Sequence, residues 1–292
     1  MKPSTILHIS DLHAGPPFAT DVANHFIERA WQHNPDLVVI SGDLVQRADH
    51  GQQWRVIREF MARLPQPQLV VPGNHDVPLY HIVNRVLRPL GTYQRETGAP
   101  LNPVIELPNA VIIGGVTAHG LTIDGGMLSK RQRRTLSDLW SRYDDSRWKL
   151  IVLHHQLMNP PGYHHRSTMR DSAGVMRLLD EWGVDVLLCG HIHVSHVAQT
   201  SDLIAPVNHG TIICQSGTTT SRRGKSHERG AQSYNVLTVS DATIEIIPHV
   251  YTAATGQFMP TAIYTARREG RRTVERRPIE RAAAPQDRIA EA

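Results

Sequence analysis

Leu69-Val70-Val71-Pro72-Gly73-Asn74-His75-Asp76 is a short apolar run that stops at a glycine and hands over to amide, imidazole and carboxylate side chains. A β-branched run bounded by turn residues reads as a strand buried on both faces. Four other runs end the same way. Ile6–Ile9 leads to Asp11-Leu12-His13, Leu37–Ile40 to Gly42-Asp43, Leu150–Leu153 to His154, and Val184–Leu188 to Gly190-His191-Ile192-His193. In open α/β sheets, ligands gather outside the carboxyl ends of the strands. If these five strands share such an edge, seven potential metal ligands meet there.

Helical patterns lie between the runs. Val22, Phe26, Ile27, Ala30 and Trp31 share one face of residues 20–34, and Pro35 stops that helix. Trp54, Ile57, Met61 and Leu64 recur at helical spacing before Pro65, and residues 79–88 also read as helical. Ser129 caps a helix that reaches about Trp140. Val175, Leu178, Leu179 and Trp182 form an amphipathic helix with Gly183 as its stop. Val111–Ile113 is a further strand. After residue 195 the pattern turns to strands alone: Thr211–Cys214, Tyr234–Val239, Ala242–Ile247 and Ala262–Tyr264. A βα-alternating part followed by a β-rich part implies two packed sheets in one α/β domain. That domain is expected to span 1–265. Residues 266–292, rich in Arg, Ala and Glu, are expected to be an exposed appendage, helical in part or disordered.

Composition bounds the function. The chain has 292 residues and 40% apolar residues, enough for a packed core, which excludes a disordered chain. Aromatics are only 5%, so an aliphatic core is expected. Cys189 and Cys214 are too few for a disulfide framework or a zinc ribbon, and a reducing cytoplasm is the expected home. No apolar run is long enough to span a membrane, and the N-terminus enters Ile6–Ile9 without the pattern of a signal peptide. No membrane partner is expected. The net charge is +4, of which eight arginines and five acids in 266–292 supply +3. The near-neutral body is poor evidence for a nucleic-acid groove. The count that stands out is histidine, at 18.

Carboxylate, imidazole and amide oxygen without thiolate suit Mn, Fe or Zn. Seven such groups are too many for one tetrahedral ion and enough for two five- or six-coordinate ions. Two ions about 3.5–4 Å apart serve phosphoryl in-line displacement. Each motif alone is an ordinary turn; five in order, each after a buried strand, are hard to assign to structure alone.

The ordered set Asp11-x-His13, Gly42-Asp43, Gly73-Asn74-His75-Asp76, His154 and Gly190-His191-x-His193 resembles the calcineurin-like metallophosphoesterase superfamily over roughly residues 4–250. Ile9-Ser10-Asp11-Leu12-His13 and Gly73-Asn74-His75-Asp76-Val77-Pro78-Leu79-Tyr80 look most like its bacterial class III cyclic-nucleotide phosphodiesterase branch. The resemblance implies a four-layer α/β/β/α sandwich of two mixed sheets with a dimetal site at the sheet edge. It implies that Asp11, His13, Asp43 and His193 hold a first transition-metal ion, and Asp43, Asn74, His154 and His191 a second. A metal-bridging hydroxide would attack phosphorus in line. His75 would contact phosphate and protonate the leaving oxygen, and Asp76 would orient His75. The implied substrate is a small phosphodiester, with 3′,5′-cyclic nucleotides leading.

A broader phosphodiesterase or nuclease is the second reading, and a protein-interaction scaffold on the same fold the third. The complete ligand set speaks against the scaffold. A homodimer is left open. His8 and His155 read as strand neighbours, and His25, His33 and His50 as surface residues. His164, His165, His196 and His209 could line the substrate mouth or be solvated. Arg222 and Arg223, after a Ser-Gly-Thr-Thr-Thr-Ser turn, could meet a phosphate or form a solvated basic turn.

Overall fold

The computed structural model describes residues 2–121, 123–144, 146–161, 163, 168–253, 256–268 and 274–278. The strands, in chain order, are β1 (Ser4–Ile9), β2 (Leu37–Ile40), β3 (Gln68–Val70), β4 (Val104–Glu106), β5 (Ala110–Gly114), β6 (Trp148–Val152) and β7 (Val186–Cys189). They continue as β8 (His196–Gln199), β9 (Ile212–Gln215), β10 (Gln232–Val239), β11 (Thr243–Thr252), β12 (Gln257–Pro260), β13 (Ala262–Arg267) and β14 (Val274–Pro278). The helices are α1 (Thr20–His33), α2 (Gly51–Ala62), α3 (Ile82–Leu87), α4 (Gly91–Thr97), α5 (Lys130–Trp140) and α6 (Ser172–Glu181).

The strands form two mixed sheets. One runs β14-β13-β11-β10-β1-β2-β3, with β12 paired to β11. The other runs β4-β5-β6-β7-β9-β8. Within them β1-β2-β3 and β5-β6-β7-β9 are parallel. Ile6, Leu37, Val39 and Leu69 of the first sheet meet Ile112, Leu150, Val152, Leu188 and Cys214 of the second in a solvent-free layer. Helices α1 and α2 cover the outer face of the first sheet, and α5 and α6 that of the second. The result is the four-layer α/β/β/α sandwich.

Local chemistry explains the element ends. Ser129 Oγ accepts from Gln132 N at 3.2 Å and starts α5, as its sequence position predicts. Gly183 takes the left-handed backbone that follows α6. Ile9, Ile40 and Val70 are in register, so β1, β2 and β3 end side by side. Val152, Leu188 and Cys214 do the same in the second sheet. The loops that follow therefore open at one common edge.

Four expectations need correcting. Trp31 does not join the core face of α1: it is exposed, and its Nε1 donates to Arg63 O. The aliphatic core holds for the layer between the sheets, where among the described residues Trp148 is the one fully buried aromatic and Tyr264 packs at the margin, but not under α1 and α2. There Phe26, Phe60, Tyr234 and Phe258 cluster, with ring centroids of Tyr234 5.0 Å from both Phe26 and Phe258. His33 is half-buried rather than surface-lying, bonded to Tyr234 Oη. The expected division at 265/266 falls inside β13, and β14 pairs with β13 and carries the sheet to Pro278. His164, His165 and residues 279–292 lie outside the described residues.

Candidate metal centre

The five strand-end loops bring all seven expected ligands to one buried site. Asp11, His13, Asp43 and His193 form one cluster, with donor atoms within 4.8 Å of one another. His13 Nε2 lies 2.9 Å from His193 Nε2, 3.7 Å from Asp11 Oδ1 and 3.7 Å from Asp43 Oδ2. The second group centres on His154, whose Nε2 is 3.2 Å from Asn74 Oδ1, 3.3 Å from His191 Nδ1 and 3.4 Å from Asp43 Oδ1. Asp43 thus faces both groups, one oxygen to each.

The loops adopt costly backbone to do this. Asp11, His13, Asp43, His191 and His193 all have left-handed φ, between 47° and 78°. Such conformations cost about 1–3 kcal/mol each and persist only where the surroundings over-determine them. The surroundings here do. Asp11 N bonds Gly42 O and His13 N bonds Asp43 O. Thr218 and Thr220 donate to the carbonyls of Asp11 and Leu12, so the Thr-rich turn braces the first loop. Gly73 is required because a Cβ there would lie 2.2 Å from Asp43 Oδ1.

The imidazoles are preset by their outer nitrogens. His154 Nδ1 donates to Ser41 O at 2.7 Å and His193 Nδ1 to Arg223 O at 3.1 Å. His191 Nε2 lies 3.7 Å from Asp124 Oδ1. The bonds of His154 and His193 fix their tautomers and leave each inner nitrogen as a lone pair aimed inward. Asn74 Nδ2 donates to Ile123 O at 3.0 Å, which turns its Oδ1 inward.

The donor set fits metal cations. Asp11 Oδ1 is buried and makes no hydrogen bond among the described residues, an anionic oxygen that faces His193 Nε2 at 3.2 Å and His13 Nε2 at 3.7 Å. Burial would raise the Asp11 and Asp43 carboxyls, yet the His193 and His154 charges hold both well below the ordinary carboxylate range. Burial pulls His154 down, but the charge and hydrogen bond of Asp43 push it up to about 9. The pocket calls for positive charge.

His75 stands at the mouth. Its Nδ1 donates to Gln46 O at 2.8 Å, so Nε2 faces the site, 4.0 Å from Asp43 Oδ2 and 3.4 Å from Arg223 Nη1. Burial lowers its pKa, against the pull of Asp43. Asp76 is a correction. It does not touch the His75 ring, because its carboxylate is engaged by the backbone N–H groups of Leu44, Val45 and Gly73. It ties the Asp43 loop to the Asn74 turn instead.

Sequence reasoning left several neighbours open or missed them. Arg223 belongs to the site, its guanidinium between Gln46, His13 and His75, whereas Arg222 is exposed. His155 is buried, groups with His154 and His191, and has an Nε2 without a hydrogen-bond partner among the described residues. The His-His pair was its only signal. His8 is buried on Ser41, and His196 and His209 lie outside both clusters.

A profile of the calcineurin-like phosphoesterases matches residues 4–195. This chain belongs to the calcineurin-like phosphoesterase family. A probable glycerophosphodiester phosphodiesterase GpdQ of Arcobacter nitrofigilis is 29% identical over 168 residues, 54% of this chain and 57% of that protein. An uncharacterized metallophosphoesterase of Helicobacter pylori is 25% identical over 208 residues, 70% of this chain and 48% of its own length. The chain thus spans about half the length of these curated relatives. The fold is shared with a purple acid phosphatase from yellow lupin, at TM-score 0.67 and 13% identity over 90% of this chain and 53% of that one. A dimetal phosphatase from Danio rerio superposes at TM-score 0.61 and 12% identity, over 83% and 95% of the two chains. Among the described residues, no helix is long and apolar enough to cross a membrane.

Proposed function

We propose that the chain is a phosphodiester hydrolase that works with two transition-metal ions. Asp11, His13, Asp43 and His193 hold one ion; Asp43, Asn74, His154 and His191 hold the other. The observation that carries this reading is Asp43, whose Oδ2 turns to His13 and whose Oδ1 turns to His154. Two such ions, when bound, neutralise phosphoryl charge and activate water for in-line attack. The same ligands accept Mn, Fe or Zn.

The chain's own groups do the rest. His75, protonated at Nε2, gives that proton to the leaving alkoxide. The Arg223 guanidinium, beside His75, holds a phosphoryl oxygen. Asp76 positions the backbone on either side of Asp43 and Gly73. A leaving-group proton suits a diester with a poor alkoxide. Small diesters are the substrate class, 3′,5′-cyclic nucleotides first; the name of the Arcobacter relative supports glycerophosphodiesters beside them. Two buried free thiols, Cys189 and Cys214, support a cytoplasmic setting.

The test is a substrate panel on metal-analysed protein: a cyclic nucleotide, a glycerophosphodiester, single-stranded DNA and a monoester. The reading expects the highest kcat/KM on one of the two small diesters. Fastest turnover on DNA would overturn the small-substrate reading. No metal-dependent hydrolysis of any ester would overturn the hydrolase.

A further inference from the structure

Helix α3 is apolar and buries nothing. Ile82, Val83, Val86 and Leu87 lie on it, and none of its residues is buried. Leu121 and Ile123 sit on the neighbouring loop, and all six side chains are at least 60% exposed. A soluble surface rarely leaves so many large apolar side chains together without a partner. The two segments are one surface: a Cβ on Gly120 would lie 1.9 Å from Arg85 O, so loop and helix backbones are in direct contact. The surface also borders the metal centre, through the Asn74 bond to Ile123 O and a crevice lined by Asn74, His75, Arg85 and Ile123.

The charge pattern selects the occupant. Residues 78–90 contain Arg85 and Arg88 and no acidic residue. Of the nearby acids, Asp49 is engaged by the backbone N–H of Leu79 and His81, and Asp124, 55% exposed, lies 3.7 Å from His191 Nε2, so the two arginines outnumber the one exposed carboxylate. A second copy docked about a two-fold axis on α3 would bring like arginines together. An anionic phospholipid surface meets both features, since acyl chains take the apolar side chains and headgroups meet the arginines. We propose that α3 with Leu121 and Ile123 is a peripheral docking surface for anionic phospholipid bilayers. The lack of an apolar span argues against a membrane partner only for a spanning segment, and this surface needs none. It would hold the metal crevice against the headgroup layer.

The test is co-sedimentation with vesicles of phosphatidylcholine alone and of phosphatidylcholine with phosphatidylglycerol. Wild type should bind the anionic vesicles, and high salt should release it. A variant carrying Ile82→Ser, Val86→Ser and Leu121→Ser should bind about tenfold or more weakly, while hydrolysing a soluble diester as wild type does. Arg88→Ser should lose the preference for anionic vesicles. Wild type that hydrolyses the soluble diester but ignores both vesicles would overturn the docking and leave the hydrolase standing. A wild-type dimer that the triple variant converts to a monomer, without vesicle binding, would overturn it in favour of a second copy. Vesicle binding without hydrolysis of any diester would support the docking and overturn the hydrolase.

Discussion

Asp76→Asn separates two roles for the same carboxylate. Asp76 Oδ1 accepts from Leu44 N at 2.9 Å and Val45 N at 3.2 Å, and Oδ2 accepts from Gly73 N at 2.8 Å. The side chain is fully buried. Burial and the neighbouring Asp43 charge push its pKa up, while the backbone N–H groups of Gly73 and Val45 oppose them by bonding the carboxylate. Asparagine has the same shape but one oxygen. Its amide must point an N–H at the N–H of Gly73 or at those of Leu44 and Val45. A buried donor left without an acceptor costs about 1–3 kcal/mol, or about 3–10 °C in Tm for a chain of this size. The shift should also move Asp43, next to Leu44, and weaken metal binding about 10–100-fold. Calorimetry and metal titration on one preparation test both effects. If Asp76 instead oriented His75, the variant would keep its Tm and its metals and lose only turnover of poor leaving groups. That result would refute the reasoning.

Other substitutions probe separate parts. His75→Ala should keep metal and lose about 10²–10⁴-fold in kcat on alkyl diesters, but much less on a nitrophenyl diester, which needs no proton; equal losses would point to phosphate positioning. Gly73→Ala puts a Cβ 2.4 Å from Asp43 N, at a φ of −99° that strains no residue, so it should fold by circular dichroism and fail to load metal. His249, stacked on Tyr234, is held down at about 4 by burial, with His33 and Arg29 adding to the effect against its bond to Ile247 O. The fold favours its neutral form. Its contribution is therefore complete above the ordinary 6.5 and is lost as pH falls from there through 4. The loss amounts to about 3 kcal/mol at most. Urea unfolding at about pH 7 and about pH 4 should show wild type losing more stability than His249→Phe, and equal losses would remove His249 from the account.

What could be read in advance was whatever a local pattern controls. Ile6–Ile9, Leu37–Ile40 and Val184–Leu188 are short apolar runs with turn residues after them, and in-register ends make their loops converge. Ser129 and Gly183 are helix signals with local mechanisms. What could not be read depends on distant chain. Arg223 meets His75 across 148 residues, and no spacing rule connects them. The left-handed backbone at Asp11, His13 and Asp43 runs against side-chain preference, because the loops hold each other through Gly42 O and Asp43 O. Asp76 follows His75 in sequence, which suggests contact, but the 3-10 turn over Asn74–Asp76 sends its carboxylate to the other loop. Phe26, Phe60, Tyr234 and Phe258 are few, so composition hides that they sit together.

The central claim is that one carboxylate, Asp43, serves two ions. Metal analysis of the active enzyme beside Asp43→Ala tests it most directly. The account predicts about two transition-metal ions per chain in wild type, with both sites weakened and activity lost in the variant. Full wild-type activity with a single tightly held ion, or a variant that keeps one site at full occupancy and loses only the other, would contradict it.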